Sequence, residues 1–299
     1  MNKKVRHLRH RLAGLLLATT LAGSVLGTLL PSSGCQSPMS TTRSDPSGAT
    51  LLSPSSAPRP QPTETAVTIP AFAGRRTIRM PILAYHYVDF FPVAGAWGDK
   101  LTVKTAAFIA EMDYLARAGF HTVTLEDVYR ALNGPGRLPA KPIAITFDDG
   151  GSDDYTVAFP VLRSHHFVAT FFVPTAFVGT KGHATWSQLA DMSRAGMAIE
   201  SHTVRHHDLT TLSDGELLRE LADSRAAIKQ RLGFDSRILA YPGGRYDWRV
   251  IEAARAAGYV ASVTVHAGSQ ISLRNAYEWP RIGIGPWDVP RLFRKAIIA

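Results

Sequence analysis

Residues 141–155 read KPIAITFDDGGSDDY. The run Pro142-Ile143-Ala144-Ile145-Thr146-Phe147 is short, apolar and rich in β-branched residues, which predicts a buried strand. It passes straight into Asp148, Asp149 and Gly150. Neighbouring carboxylates repel each other and strands disfavour aspartate, so the strand ends there. A plain turn would account for Asp-Gly, since both are turn residues. A paired acid at a strand end also suits a reactive site, and the stretch alone does not choose.

Outward from this point, strand-like runs alternate with helical patterns. MPILAYHYV (80–88) predicts a strand, and TAAFIAEMDYLARAGF (105–120) a helix ending on Ala-Gly. HTVTLEDVYRAL predicts a short strand and a helix start. After PIAITF come a helix around TVAFPVLRSHH, a strand at ATFFVP, a helix at WSQLADMSRAG and a strand end at AIESH. A long helix, DGELLRELADSRAAIKQRLG, is closed by Gly233. ILAYP, YVASVTV and PRIGIG predict strands, RVIEAARAAG and VPRLFRKAII helices. Repeated β-then-α units predict an α/β fold with parallel strands and helices outside, as a barrel or an open sheet. In either, chemistry sits at the C-terminal strand ends, where Asp148 and Asp149 fall.

The 299 residues carry a formal charge of +9, but the excess is partly local. Five of the 33 basic residues stand in the first 35 positions with no acid, which leaves 28 against 24 acids beyond them. No dense basic stripe appears elsewhere, so a nucleic-acid partner is not expected. Residues 1–35 read as an export signal: a basic start, the apolar LAGLLLATTLAGSVLGTLL, then small residues up to Cys35. Cys35 is the only cysteine, so no internal disulfide forms. Its context, LLPSSGC, resembles a bacterial lipobox, with Ser32 where such boxes carry Leu. The expectation is an exported lipoprotein anchored to a membrane through Cys35, or a secreted protein if Cys35 is not lipidated. Residues 36–75 are rich in Ser, Pro and Thr and predict a flexible spacer. Residues 76–299 then suit one catalytic α/β domain.

A second cluster lies 54 residues after Asp148, in GMAIESHTVRHHDL (196–209). His202 and His206 have i, i+4 spacing, expected to place two imidazoles on one side of a helical turn, fit for one metal ion. Alone, such a pair is as well read as a solvated loop. One carboxylate plus two histidines, however, is a donor set that leaves positions open for water and substrate. The second carboxylate would then serve as a base.

TFDDG (146–150) and SHTVRH (201–206) resemble the first two motifs of the polysaccharide deacetylases, the NodB-homology family or carbohydrate esterase family 4. The resemblance spans roughly residues 80–299 and implies a distorted (β/α) barrel. It assigns Asp148 as catalytic base and Asp149, His202 and His206 as ligands of a divalent metal, zinc first, with cobalt or nickel as alternatives. The chain departs from the common third motif: LAYPGGR (239–245) has Ala240 where an arginine would stand. No late Leu-x-His motif supplies an acid. A branch resembling the IcaB and PgaB type, exported deacetylases of β-1,6-linked poly-N-acetylglucosamine, resolves both departures. It implies His86, in AYHYV, as the acid, Tyr-Pro in the third motif, and Arg281, in WPRIGI, as support for the base. Arg237 and Arg245 are the alternative supports. The loop Tyr241-Pro242-Gly243 is expected to offer a backbone N–H to an oxyanion. Trp186, Trp279 and Trp287, with Tyr241 and Tyr246, are read either as core or as platforms for sugar faces.

The expected activity is thus metal-dependent removal of acetyl groups from N-acetylglucosamine units of an extracellular polysaccharide, by a monomer. Two alternatives remain: a peptidoglycan or chitooligosaccharide (β-1,4) deacetylase, and an inactive lipid-anchored sugar-binding protein.

Overall fold

The computed structural model describes residues 77–89, 98–286, 293, 294 and 297. The signal, Cys35, the spacer, Trp287 and most of VPRLFRKAII lie outside them. β1 (Thr77–Arg79) precedes β2 (Ile82–Tyr85), all four of whose residues are buried. The strand expected over 80–88 breaks at His86 and resumes as β3 (Tyr87–Val88). After α1 (Gly98–Leu101), β4 (Thr102–Val103) pairs in parallel with β3. α2 (Thr105–Arg117) buries Phe108, Met112 and Leu115, an i, i+4, i+7 stripe that faces the core. β5 (His121–Thr122) leads into α3 (Leu125–Asn133), which starts on a reciprocal Thr124–Asp127 capping box.

β6 (Pro142–Phe147) is the strand that runs into the two aspartates. A π-helical turn (Asp154–Ala158) then merges into α4 (Phe159–Ser164). β7 (Thr170–Val173), α5 (Trp186–Arg194) and β8 (Ala198–Ser201) continue the alternation. α6 (Asp214–Leu232) opens on a Ser213–Glu216 capping box and stops at Gly233, whose φ of 83° is left-handed. β9 (Ile238–Ala240), α7 (Trp248–Ala256), β10 (Ala261–Val263), β11 (Gln270–Ser272) and β12 (Ile282–Gly283) complete the described chain.

The main sheet runs β10-β9-β8-β7-β6-β2-β12, with every pair parallel and β5 also against β6. Its two ends meet at a single bridge, Val263 to Trp279, so the curved sheet forms a distorted barrel. β1 and β11, which sequence reading did not find, make a separate antiparallel pair. Alternation along the strands divides the apolar residues. Ile143, Ile145 and Phe147 pack with α2, α4 and α5 residues, while Ala144 and Phe172 join Ala240, Val263 and Trp279 in a second cluster. Thr146 and Asp148 therefore share the face of Ala144.

Between β8 and β9 the register gives only one backbone pair, Ser201 with Leu239. A carboxylate supplies what the ladder lacks: Glu200 Oε2 accepts from Ser236 Oγ at 2.6 Å, Arg237 N at 2.8 Å and Ile238 N at 3.0 Å. Burial outweighs these bonds and pushes the Glu200 carboxyl up to about 7. The folded state then holds a proton that the unfolded chain has already released, so this contribution to stability is complete below about pH 4.3 and fades as pH rises through about 7. Glu200→Gln should flatten that part of a thermal-melting curve against pH. An unchanged slope would show that the strand junction does not depend on this proton.

Candidate active site

The turn after β6 separates the two aspartates. Asp149 and Gly150 both adopt left-handed φ, 74° and 64°. An aspartate tolerates this region, and at Gly150 a Cβ would add a tight 3.0 Å approach to Val173 Cγ1, so glycine is favoured there. Asp148, still on the barrel-facing side, is 3% exposed, and its N–H donates to Tyr85 O at 3.0 Å.

Asp148 meets Arg281, itself 1% exposed, through two parallel bonds: Nη1 to Oδ1 at 2.8 Å and Nη2 to Oδ2 at 2.6 Å. Such forked pairing is the strong, orientation-fixing form of an arginine–carboxylate contact. The guanidinium is held in turn by Thr264 O at 2.9 Å and Thr146 Oγ1 at 3.0 Å. Burial by itself would raise the Asp148 pKa, but the Arg281 charge and its hydrogen bonds overcome it and hold the carboxyl well below its usual range. Arg237 and Arg245 point elsewhere: Arg237 pairs with Glu126 at 2.8 Å and Arg245 with Asp208 at 3.4 Å. His86, in the break between β2 and β3, brings Nε2 to 3.9 Å from Asp148 Oδ2. Its Nδ1 is buried and has no hydrogen-bond partner among the described residues.

Asp149 turns the other way. Its Oδ1 lies 3.6 Å from His202 Nε2 and 3.4 Å from His206 Nε2, too far for hydrogen bonds and suited to sharing a cation. One donor atom from each of the three residues lies within 4.8 Å of the others. The buried His202 ring is fixed by Nδ1–H donating to Ala240 O at 2.8 Å, which leaves Nε2 as a bare lone pair aimed at the centre. Burial lowers the His206 pKa, favouring its neutral, ligating form. These donors fit a divalent ion.

The two imidazoles do not sit on a helical turn as their spacing predicts. Residues 202–208 form a loop, with Thr203 at φ 68° and His206 at φ 57°. Ser201 Oγ accepts from Thr203 N at 3.0 Å, and Thr203 Oγ1 from His206 N at 3.1 Å. From α6, Glu220 Oε2 accepts from Val204 N at 2.9 Å and Arg205 N at 2.8 Å. Side-chain acceptors thus replace helix hydrogen bonds and fold the loop over one centre.

For the Tyr241 ring the structure takes the core reading. It is buried, stacked on Tyr246 with centroids 4.8 Å apart, and its hydroxyl donates to Tyr277 O at 3.1 Å. Trp279 is fully buried, so both are core rather than sugar platforms. The loop after β9 is a 3-10 turn in which Gly244 N donates to Tyr241 O and Arg245 N to Pro242 O. Pro242 has no N–H, so the available amide narrows to Gly243.

Sequence reading missed Tyr87, Asp153 and Glu220. Tyr87 Oη donates to Asp149 Oδ2 at 2.7 Å, and Asp153 Oδ2 accepts from Val88 N at 2.5 Å. Burial pushes the Asp153 carboxyl up to about 6, helped by facing Asp149. The second Asp-Asp of GGSDDY was the available signal for Asp153; nothing local marks Tyr87 or Glu220.

A buried arginine–carboxylate pair beside an Asp-His-His set that could hold a metal ion, at the strand ends of a parallel barrel, is an arrangement suited to hydrolysis. The family model described as polysaccharide deacetylase matches residues 136–262. Bacillus subtilis YxkH, whose name places it among the polysaccharide deacetylases, is 32% identical over 208 residues, 70% of this chain and 72% of that one. The poly-β-1,6-N-acetyl-D-glucosamine N-deacetylase of Staphylococcus epidermidis is 26% identical over 198 residues, covering 60% of this chain and 67% of its own. Among solved structures, the Streptococcus pyogenes deacetylase PplD, in complex with acetate, superposes with a TM-score of 0.67 at 29% identity. That match covers 74% of this chain and 99% of PplD.

The chain belongs to the polysaccharide deacetylase family. It is a hydrolase of non-peptide carbon–nitrogen bonds, and enzymes of this family are metal-dependent.

Proposed function

We propose that the protein removes acetyl groups from β-1,6-linked poly-N-acetylglucosamine, with zinc held by Asp149, His202 and His206. The supporting observation is the order of the parts: His86 faces Asp148 from the second strand, and Arg281, just before the last, clamps it. A likeness to the Staphylococcus epidermidis enzyme points the same way.

The ion would supply Lewis-acid activation of water and of the acetamide carbonyl. Asp148, ionised because Arg281 faces it, takes a proton from the attacking water. Arg281 keeps both carboxylate oxygens in place as that proton arrives. The Gly243 N–H is the loop donor for negative charge developing on the acetyl oxygen. His86 Nε2, on the Asp148 side, delivers a proton to the leaving nitrogen, which departs as the free amine of glucosamine while acetate forms.

The reading is tested by acetate release from β-1,6-linked and β-1,4-linked N-acetylglucosamine oligomers with the full chain loaded with zinc. Faster turnover of the β-1,6 series is expected. A β-1,4 preference would move the substrate to peptidoglycan or chitin oligomers, and equal silence on both would overturn the proposal. We further propose export and membrane anchoring through Cys35. Fractionated cells should carry the protein with their membranes, and Cys35→Ser should release it; a wild-type chain found only in the soluble fraction would sink this.

A further inference from the structure

We infer that Tyr87 is a positioning residue of the metal centre, whose hydroxyl occupies one oxygen of Asp149 so that only the other is presented to the ion. The inference rests on the assignment of Asp149, His202 and His206 as ligands. The two oxygens of Asp149 have different surroundings. Oδ1 faces His202 and His206 Nε2, whereas Oδ2 accepts from Tyr87 Oη at 2.7 Å. A phenol remains protonated at neutral pH, so this contact is a donated hydrogen bond throughout the working range. The bond holds that oxygen on the Tyr87 side and opposes a swing that would offer both to the ion.

The tyrosine is itself fixed from three sides. Its strand, β3, pairs with β4, Tyr87 opposite Thr102 and Val88 opposite Val103. Val88 N–H is held by Asp153 Oδ2 at 2.5 Å. The ring lies beside Gly151, where a Cβ would come to 3.4 Å from Tyr87 Cδ1 and would overlap the Asp153 carboxylate. The second glycine of DDGG thus makes room for both supports. His86 precedes Tyr87 in the chain, so the segment that orients the metal's carboxylate also places the ring facing Asp148.

Partners of this kind orient metal ligands, and their loss costs 10–100-fold in metal affinity. Tyr87→Phe keeps the ring and deletes only the hydroxyl. Zinc affinity of the full chain, measured by competition with a chromophoric chelator, should weaken by roughly 10-fold or more. Melting of the metal-free protein should stay unchanged, since the packing is kept. The cobalt-loaded variant should show altered visible absorption bands, because Asp149 is then free to bind through both oxygens. A purely structural tyrosine would do the reverse, lowering metal-free melting while leaving affinity and spectrum alone, and that result would overturn the inference. Equal zinc affinity in wild type and Tyr87→Phe, with unchanged cobalt bands, would overturn it alone. A wild-type chain that binds no zinc would overturn the ligand assignment, and the inference with it.

Discussion

Asp148→Asn should lower acetate release by about 10²–10⁴-fold at saturating zinc, the range associated with losing a positioned general base. Asparagine has nearly the same shape, so the turn and the neighbouring Asp149 are kept. Zinc affinity should therefore change little, which separates loss of the base from loss of the metal. The fold will register the change as well. Arg281 is 1% exposed and loses its only carboxylate among the described contacts, which leaves a buried cation uncompensated. Breaking a buried pair from one side typically costs about 3–5 kcal/mol. Denaturant unfolding of the variant would measure that cost. Retention of more than a tenth of wild-type turnover would remove Asp148 from the role of base.

Arg281→Met attacks the same pair from the other side. The uncompensated group is then Asp148, and the stability loss should again be about 3–5 kcal/mol. Its consequence for activity differs in kind. With Arg281 present the carboxyl is held below its normal range, and without it burial, which raises the pKa, prevails. An opposite charge at this range shifts a carboxylate by roughly 1–3 pH units. The acid limb of the rate profile should move upward by about that amount, so activity is lost first at low pH and least at high pH. A profile that falls uniformly would mean that Arg281 supports the fold without tuning the base.

Much of this site could be read in the sequence because its key groups stand in contiguous motifs. TFDDG places a strand end, two carboxylates and the glycine of the left-handed turn within five residues. SHTVRH presents both histidines, although their spacing wrongly predicted a helical turn. The loop geometry depends on Glu220, a full 15–16 residues away on α6, and no local pattern announces it. Tyr87 and Asp149 are 62 residues apart, and the hydrogen bond that joins them exists only once β2 and β6 lie side by side. The aromatic residues stayed undecided for a similar reason: a sequence shows that Trp279 and Tyr241 are large and apolar, but not which way they point. β1 and β11, three residues each, are too short to show a period.

The ring of strands closes at Val263 and Trp279, two residues before Arg281, and β12 then lies against β2. The seal and the counter-ion of Asp148 arrive on the same few residues. A ribosome that has yet to deliver residue 279 therefore holds a chain with neither the bridge to Val263 nor the counter-ion of Asp148.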